Sequence, residues 1–314
     1  MRVLLTCPPM IGQIREFQHL FAKAGVEVFI PEFIQTLPEE KLLELVPKFD
    51  GWIIGDDPVT ERVLVAGKAG KLKACVKWGI GMDNVDLAAC KKLGIPISNT
   101  PYMFGNEVAD LAISYLLALA RHTFIIHKGV LEGKWPKPAG ISLQGKTVAI
   151  LGYGDIGMHV AKRLVAFDVQ VVAYDPYTRF RDKIQGVEFQ SFPNGLSYAD
   201  FLVITCALTP ETYHLINANI LSLVKHGIRI VNVSRGAVID EQALVEALES
   251  GKVAAAALEV FEREPLPLDS PLRRFEQCIF GTHNGSNTVE AVHRASIKAI
   301  ELLFGFLEVK EVTL

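Results

Sequence analysis

Three polar side chains lie just past apolar runs in the last third of the chain. Arg235 follows Ile228–Val233 within Asn232-Val-Ser-Arg-Gly-Ala-Val-Ile-Asp240. Glu264 follows Ala254–Leu258 within Glu259-Val-Phe-Glu-Arg-Glu-Pro265, and His283 follows Cys278–Gly281 within Gly281-Thr-His-Asn-Gly-Ser286. Such runs read as buried strands of a parallel sheet. Side chains past the carboxyl ends of neighbouring strands can converge on one crevice. Histidine titrates in the range a proton donor needs. A carboxylate on its far ring nitrogen favours the imidazolium. A guanidinium grips a carboxylate bidentately and polarises a neighbouring keto oxygen. The three together suit proton transfer to a developing alkoxide, which requires a hydride donor at the adjoining carbon. The seven other histidines, His19, His122, His127, His159, His214, His226 and His293, fall on helical or loop patterns without such neighbours.

The hydride donor is indicated upstream, by Gly152-Tyr-Gly154-Asp-Ile-Gly157. The short apolar run Thr147–Leu151 precedes it, and helix-forming residues follow from Met158 to Ala166. A second run, Val169–Tyr174, ends in Asp175, 18 residues beyond Gly157. Strand, glycine turn, helix, strand and terminal acid make a dinucleotide-binding fingerprint. The glycines let the backbone turn tightly and approach a pyrophosphate at the positive end of the helix. Asp155 and Ile156 stand between the second and third glycines and open that helix. Asp175 accepts hydrogen bonds from the adenine-ribose hydroxyls and repels a 2′-phosphate, which favours NAD over NADP. Arg179 and Arg181 follow and could receive such a phosphate, but the acid is nearer the strand end.

These residues need a scaffold of alternating strands and helices, and the chain supplies that rhythm. In the first hundred residues strands are predicted at Val3–Leu5, Val26–Phe29, Trp52–Ile54, Ala74–Lys77 and Ile97–Ser98. Helices fill Ile11–Lys23, Pro38–Val46, Thr60–Ala66 and Asp86–Leu93. A long helix is predicted from Asn106 to about Leu131. The second half repeats the pattern, with strands at 147–151, 169–174, 201–205, 228–233, 254–258 and 278–281. A final helix is predicted over Val289–Leu307. The predicted fold class is α/β: two Rossmann-like, doubly wound parallel-sheet domains with a cleft between them.

Composition excludes other classes. The 314 residues suggest about two domains, and half of them are hydrophobic, ample for sizeable cores. Net charge is −3 with no dense basic run, so no nucleic-acid partner is expected. Leu111–Ala120 is too short to span a bilayer, and the apolar run at the N-terminus is too short for a signal peptide. The five cysteines are odd in number and form no C-x-x-C pair, which fits reduced thiols in a cytoplasm. No metal is expected.

The chain resembles the D-2-hydroxyacid dehydrogenases, within them the phosphoglycerate dehydrogenase-like branch. The carriers are Trp78-Gly-Ile-Gly-Met-Asp-Asn-Val-Asp86, Asn99-Thr-Pro, Asn106-Glu-Val-Ala-Asp110 and Gly152–Gly157. They continue with Leu208-Thr-Pro-Glu-Thr212, Ser234-Arg-Gly236, Val260-Phe-Glu-Arg-Glu-Pro-Leu266 and Thr282-His283. The resemblance implies a triad of Arg235, Glu264 and His283. It implies that backbone amides around Ile80 and Gly81 hold the substrate carboxylate. It implies Val108, Cys206, Thr212, Ser234 and Glu259 as further cofactor contacts. It implies a discontinuous substrate domain, residues 1–100 plus 285–314, around a cofactor domain of residues 101–284. Serine feedback through a C-terminal regulatory domain is not expected. A homodimer through the cofactor domain is expected, because the long helix from Asn106 and the Gly133-Lys-Trp135 segment offer more apolar surface than one sheet face needs.

Two departures stand out. The family usually carries Asp where this chain has Glu259, and there it contacts the nicotinamide carboxamide. The usual Pro before the histidine is Thr282. For the substrate, Lys77 ends a predicted strand two residues before the carboxylate loop. Phosphoglycerate dehydrogenases often have a basic residue there, so Lys77 points to a phosphorylated acid such as 3-phosphoglycerate. Glyoxylate, hydroxypyruvate and D-lactate-type acids are the alternatives. An NADH-responsive binding protein without turnover is the alternative of another class.

Overall fold

A computed structural model describes residues 1–177 and 184–309 of the chain. Arg179 and Arg181 lie outside the described residues. The chain begins β1 (Arg2–Leu5), α1 (Pro8–Gly12), α2 (Ile14–Lys23), β2 (Glu27–Phe29), α3 (Glu39–Leu45) and β3 (Gly51–Ile54). It continues α4 (Glu61–Ala69), β4 (Ala74–Lys77), α5 (Leu87–Leu93), β5 (Ile97–Asn99), α6 (Gly105–Arg121) and α7 (Thr123–Leu131). Then come β6 (Thr147–Leu151), α8 (Asp155–Leu164), β7 (Gln170–Tyr174), β8 (Val187–Phe189) and β9 (Phe201–Ile204). The last elements are α9 (Ala218–Leu223), β10 (Ile228–Asn232), α10 (Glu241–Glu249), β11 (Val253–Leu258), β12 (Ile279–Phe280) and α11 (Val289–Phe306).

These elements form two compact units, Met1–Met103 with Asn287–Leu314, and Phe104–Ser286. The first carries a five-stranded sheet in the order β2-β1-β3-β4-β5. All its pairings are parallel. Strands β3 and β4 are buried along their whole length, as expected where helices cover both faces. Side-chain caps start the helices where the sequence changes from turn to helix. Thr60 accepts from the Val63 N–H, Asp86 from Ala89 and Thr288 from Ala291. Gly94, in the left-handed region, ends α5. The last helix packs back within this unit. The Trp78 indole N–H donates to Ser296 Oγ at 3.1 Å, and Phe304 meets Phe21 edge-on.

The second unit carries seven parallel strands in the order β12-β11-β10-β9-β6-β7-β8. Strand order reverses at β6, whose neighbours are β7 and β9. In open α/β sheets such a switch point is where ligands bind. One core cluster joins Ala149, Leu202, Ile230, Ala256 and Leu258 of the sheet to Leu244 and Leu248 of α10.

Three elements differ from expectation, the first being the helix predicted over Ile11–Lys23, which is divided at Gln13 into α1 and α2. The long helix is broken: His122 adopts φ 56° and separates α6 from α7 by a 68° bend. The cause is long-range. The Ala120 carbonyl, which a continuing helix needs, accepts from the Ile141 N–H at 2.9 Å. Strand β8, three residues on the sheet edge, was not foreseen; it is too short to show a period. Among the described residues no single helix is long and apolar enough to cross a membrane; α6 and α7 pass that test only as a bent pair, and α6 is largely buried.

Candidate active site

The glycine turn is built as its sequence requires, and each glycine has its own reason. Gly152 sits at φ 93°, and a Cβ there would stand 2.5 Å from the Cys206 backbone. Gly157 packs so closely that a Cβ would overlap the Gly152 carbonyl. Gly154, by contrast, has nothing within 4 Å of its Cβ position, and it precedes the first turn of α8. The outer glycines pack strand against helix, and the middle one leaves an open cradle at a helix N-terminus. A pyrophosphate fits that arrangement.

Asp175 follows β7 directly. Its two carboxylate oxygens accept the Tyr153 N–H at 2.7 Å and the Tyr177 N–H at 2.8 Å. The acid is thereby fixed beside the glycine turn, with lone pairs left for ribose hydroxyls. Asp155 opens α8; its side chain turns to the first residue of α6, where a Cβ on Gly105 would meet the carboxylate at 2.6 Å. Its Oδ2 is buried with no hydrogen-bond partner among the described residues. Ile156 is half-buried behind it.

Cys206 follows β9 against Gly152. Burial pushes its thiol up to about 12, and the Asp175 carboxylate adds to that. It is a packing group rather than a nucleophile. The Thr212 hydroxyl donates to the Ala207 carbonyl at 2.7 Å and accepts the Thr209 N–H at 2.7 Å, closing the 207–212 turn. Val108, buried on α6, lies beside Gly285.

Arg235 lies three residues past β10. The buried Asn232 shapes its turn: Oδ1 accepts from the Ser234 N–H and hydroxyl, and Nδ2 donates to the Arg235 carbonyl. Ser234 is itself buried by this turn. Gly236 has no room for a side chain, because the Phe261 and Glu262 backbones occupy its Cβ position. The Arg235 loop therefore packs directly on the loop that carries Glu264.

The His283 ring Nδ1 stands 2.8 Å from Glu264 Oε2, both side chains about a quarter exposed. The other oxygen, Oε1, accepts the Phe261 N–H at 3.0 Å. The carboxylate is thus pinned in its own loop and presents one oxygen to the imidazole. His283 adopts φ 54°. That conformation costs a non-glycine residue roughly 1–3 kcal/mol and persists only where surroundings enforce it. Because β10, β11 and β12 are parallel neighbours, Arg235, Glu264 and His283 all leave the same sheet edge as the glycine turn.

Glu259 is buried, 3% exposed, and its carboxylate accepts from the Tyr115 hydroxyl at 2.5 Å and from the Asn284 N–H. Tyr115 lies on α6, 144 positions away, and no local pattern announces it. Burial, and then the Glu259 carboxylate, push the Tyr115 phenol well above its ordinary range.

A further polar cluster was also unforeseen. His214, Asp240 and Glu262 bring ligand atoms within 4.8 Å of one another. These groups already have protein work: Asp240 caps α10, and Glu262 Oε1 lies 3.1 Å from His214 Nε2 and accepts the Glu241 N–H.

In the first unit the 78–83 loop follows β4. Gly79 adopts φ 126°, the Thr100 hydroxyl accepts its N–H at 2.9 Å, and Asn99 Nδ2 donates to the Ile80 carbonyl at 2.7 Å. Ile80 is exposed and Gly81 half-buried. Lys77 does not present a free cation beside this loop. It is 3% exposed, and Nζ donates to Asp56 Oδ1 at 3.1 Å and to the Trp78 carbonyl at 3.0 Å.

Residues 113–285 match the family model of the D-isomer specific 2-hydroxyacid dehydrogenase NAD binding domain. The chain belongs to the D-isomer specific 2-hydroxyacid dehydrogenases. It is similar to a hydroxypyruvate reductase of Thermotoga maritima, 38% identical over 276 residues, which are 86% of this chain and 89% of that one. It is equally similar, at 38% over 269 residues, to a D-3-phosphoglycerate dehydrogenase of Methanocaldococcus jannaschii. There the match covers 84% of this chain but 51% of the relative, so this chain spans about half the length of that enzyme. Its fold matches a Staphylococcus aureus NAD-dependent formate dehydrogenase in complex with NAD, with a TM-score of 0.87 and 28% identity, over 100% of this chain and 97% of that one. The protein is an NAD-dependent oxidoreductase of the CH–OH class, and its family acts on small hydroxy or keto acids.

Proposed function

We propose that this dehydrogenase interconverts a small unphosphorylated 2-keto acid and its D-2-hydroxy acid, with hydroxypyruvate and glyoxylate as preferred substrates. The observation that carries this is the Lys77–Asp56 ion pair. A lysine that receives a substrate phosphate needs its charge free; here a carboxylate already neutralises it, and burial keeps solvent and ligand away. Similarity to the hydroxypyruvate reductase along nearly its whole length supports the same choice. A 3-phosphoglycerate-like substrate, expected from Lys77 and from the resemblance to the phosphoglycerate dehydrogenase-like branch, is the second reading, and the D-3-phosphoglycerate dehydrogenase relative supports it.

The glycine turn Gly152–Gly157 and Asp175 would hold NADH, which would supply the hydride for the carbonyl carbon. His283 donates the proton to the carbonyl oxygen from Nε2, because Glu264 occupies Nδ1 and fixes the ring. Arg235 grips the substrate carboxylate and polarises the carbonyl. In the oxidative direction His283 takes the hydroxyl proton back. The same reading makes the protein a cytoplasmic homodimer. Its thiols are unpaired, and Phe124, Leu131 and Trp135 of the second unit expose 52%, 75% and 78% of their surface.

The test is a panel of initial rates with NADH and purified protein. Hydroxypyruvate or glyoxylate should exceed 3-phosphohydroxypyruvate in kcat/KM by at least about 10-fold, the scale set by one unmatched charge. The reverse order overturns the substrate assignment.

A further inference from the structure

We propose that Glu259 is a positioning residue for His283, locked by Tyr115, and makes no contact with the nicotinamide. The inference rests on the reading of His283 as proton donor. Two hydrogen bonds bracket that histidine. The His283 N–H donates to the Glu259 carbonyl at 2.8 Å, and the Asn284 N–H donates to the Glu259 carboxylate. These are the two peptide groups on either side of the His283 Cα. Tying both to one residue fixes its φ and ψ together, and so holds a left-handed conformation that the chain would otherwise abandon.

Glu259 is itself anchored at both ends. Its N–H donates to the Asn232 carbonyl at 3.0 Å, at the end of β10. Its second carboxylate oxygen takes the Tyr115 hydroxyl at 2.5 Å. Gly281 completes the unit, since a Cβ there would overlap the carboxylate and stand 2.6 Å from Tyr115 Oη. The residue is only 3% exposed, and both carboxylate oxygens are already engaged within the protein. An aspartate at this position is one methylene shorter and cannot span from β11 to both the Tyr115 hydroxyl and the Asn284 amide. Glutamate, tyrosine and glycine are thus matched parts of one support for the proton donor.

The test uses Tyr115→Phe, Glu259→Asp and the double variant in the full-length enzyme. A positioning role predicts that each single change lowers kcat about 10-fold. The KM for the keto acid and the NADH Kd, read by fluorescence, should stay within about twofold of the parent. The double variant should lose no more than about twice what the worse single variant loses, because both changes break one unit. Hydrogen exchange at the His283 and Asn284 amides should quicken in each variant, measured on cofactor-free protein. A Glu259→Asp enzyme with raised NADH Kd and unchanged kcat overturns the proposal in favour of cofactor contact. So does a Tyr115→Phe enzyme with unchanged kcat and exchange. If the parent protein turns over no 2-keto acid, the dehydrogenase reading fails separately, and amide exchange still decides whether Glu259 and Tyr115 clamp His283.

Discussion

His283 Nδ1 lies 2.8 Å from Glu264 Oε2, and the remaining Glu264 oxygen is held by the Phe261 N–H. The pair therefore has one open position, Nε2 of the imidazole. His283→Ala should lower kcat about 10²–10⁴-fold, the usual scale of general acid–base catalysis, and leave NADH binding nearly intact. Glu264→Gln keeps the Phe261 contact but turns a donor toward Nδ1, so a doubly protonated ring loses its acceptor and kcat should fall within the same range. His293→Ala is the control. That side chain lies on α11 against Phe17 and is largely exposed. Equal losses in His283→Ala and His293→Ala, measured by steady-state kinetics, would sink the assignment.

Arg235→Lys should chiefly raise KM for the keto acid, since a point charge cannot reproduce the bidentate grip. Some loss of kcat should accompany it, because the same guanidinium polarises the carbonyl. A change in NADH Kd alone would place Arg235 elsewhere.

Asp175 is held rigidly by the Tyr153 and Tyr177 amides, so a 2′-phosphate cannot push it aside. NAD(H) should exceed NADP(H) in kcat/KM by more than about 100-fold, as expected for a charge fixed against a phosphate dianion. Asp175→Ser should narrow that ratio mainly by weakening NADH. Comparable kcat/KM with both cofactors in the parent enzyme would contradict this.

What was legible in the sequence follows from the range of each interaction. The placement of Arg235, Glu264 and His283 at one sheet edge was legible because each stands past a recognisable strand, and parallel strands share a carboxyl edge. The glycine turn was legible because its spacing is local. Lys77 was not, since its partner Asp56 lies past the neighbouring strand β3 and only the pairing of β3 with β4 brings them together. Glu259 showed as an anomaly, but its cause, Tyr115, sits on a helix far upstream. The break at His122 was hidden likewise: the residues on both sides favour helix, and the carbonyl at its end is taken by Ile141 from a later segment.

Glycines within the fingerprint should separate folding from binding. Gly157→Ala places a methyl group on the Gly152 carbonyl and should lower Tm by several degrees, about what 1–3 kcal/mol of overpacking removes from a domain of this size. Gly154→Val adds side chain only to open space, so Tm should hold while NADH Kd rises at least about 10-fold through loss of the pyrophosphate's close approach. The two melting curves and two binding isotherms check this; a stable Gly154→Val protein with parental NADH affinity would remove the pyrophosphate from that cradle.

Glu241 gives a pH dependence whose sign is fixed. It opens α10 half-buried, its Oε1 accepts the Glu262 N–H at 2.7 Å, and the Glu262 and Glu264 carboxylates are near. Burial first, and then those two charges, raise its carboxyl above the usual range. The folded chain therefore holds a proton that the unfolded chain has already released. Stability from this group is greatest below its ordinary value of 4.5 and falls as pH rises through the raised one. Glu241→Gln keeps an oxygen for the Glu262 N–H and removes the opposed charge. Because the group is half-exposed, solvent screens most of the effect. Tm at pH 7–8 should rise by about 1 °C, with the gain vanishing near pH 4. A gain that persists unchanged at pH 4 would trace to packing, and a loss at pH 7–8 would mean that the ionised carboxylate supports the Glu264 loop.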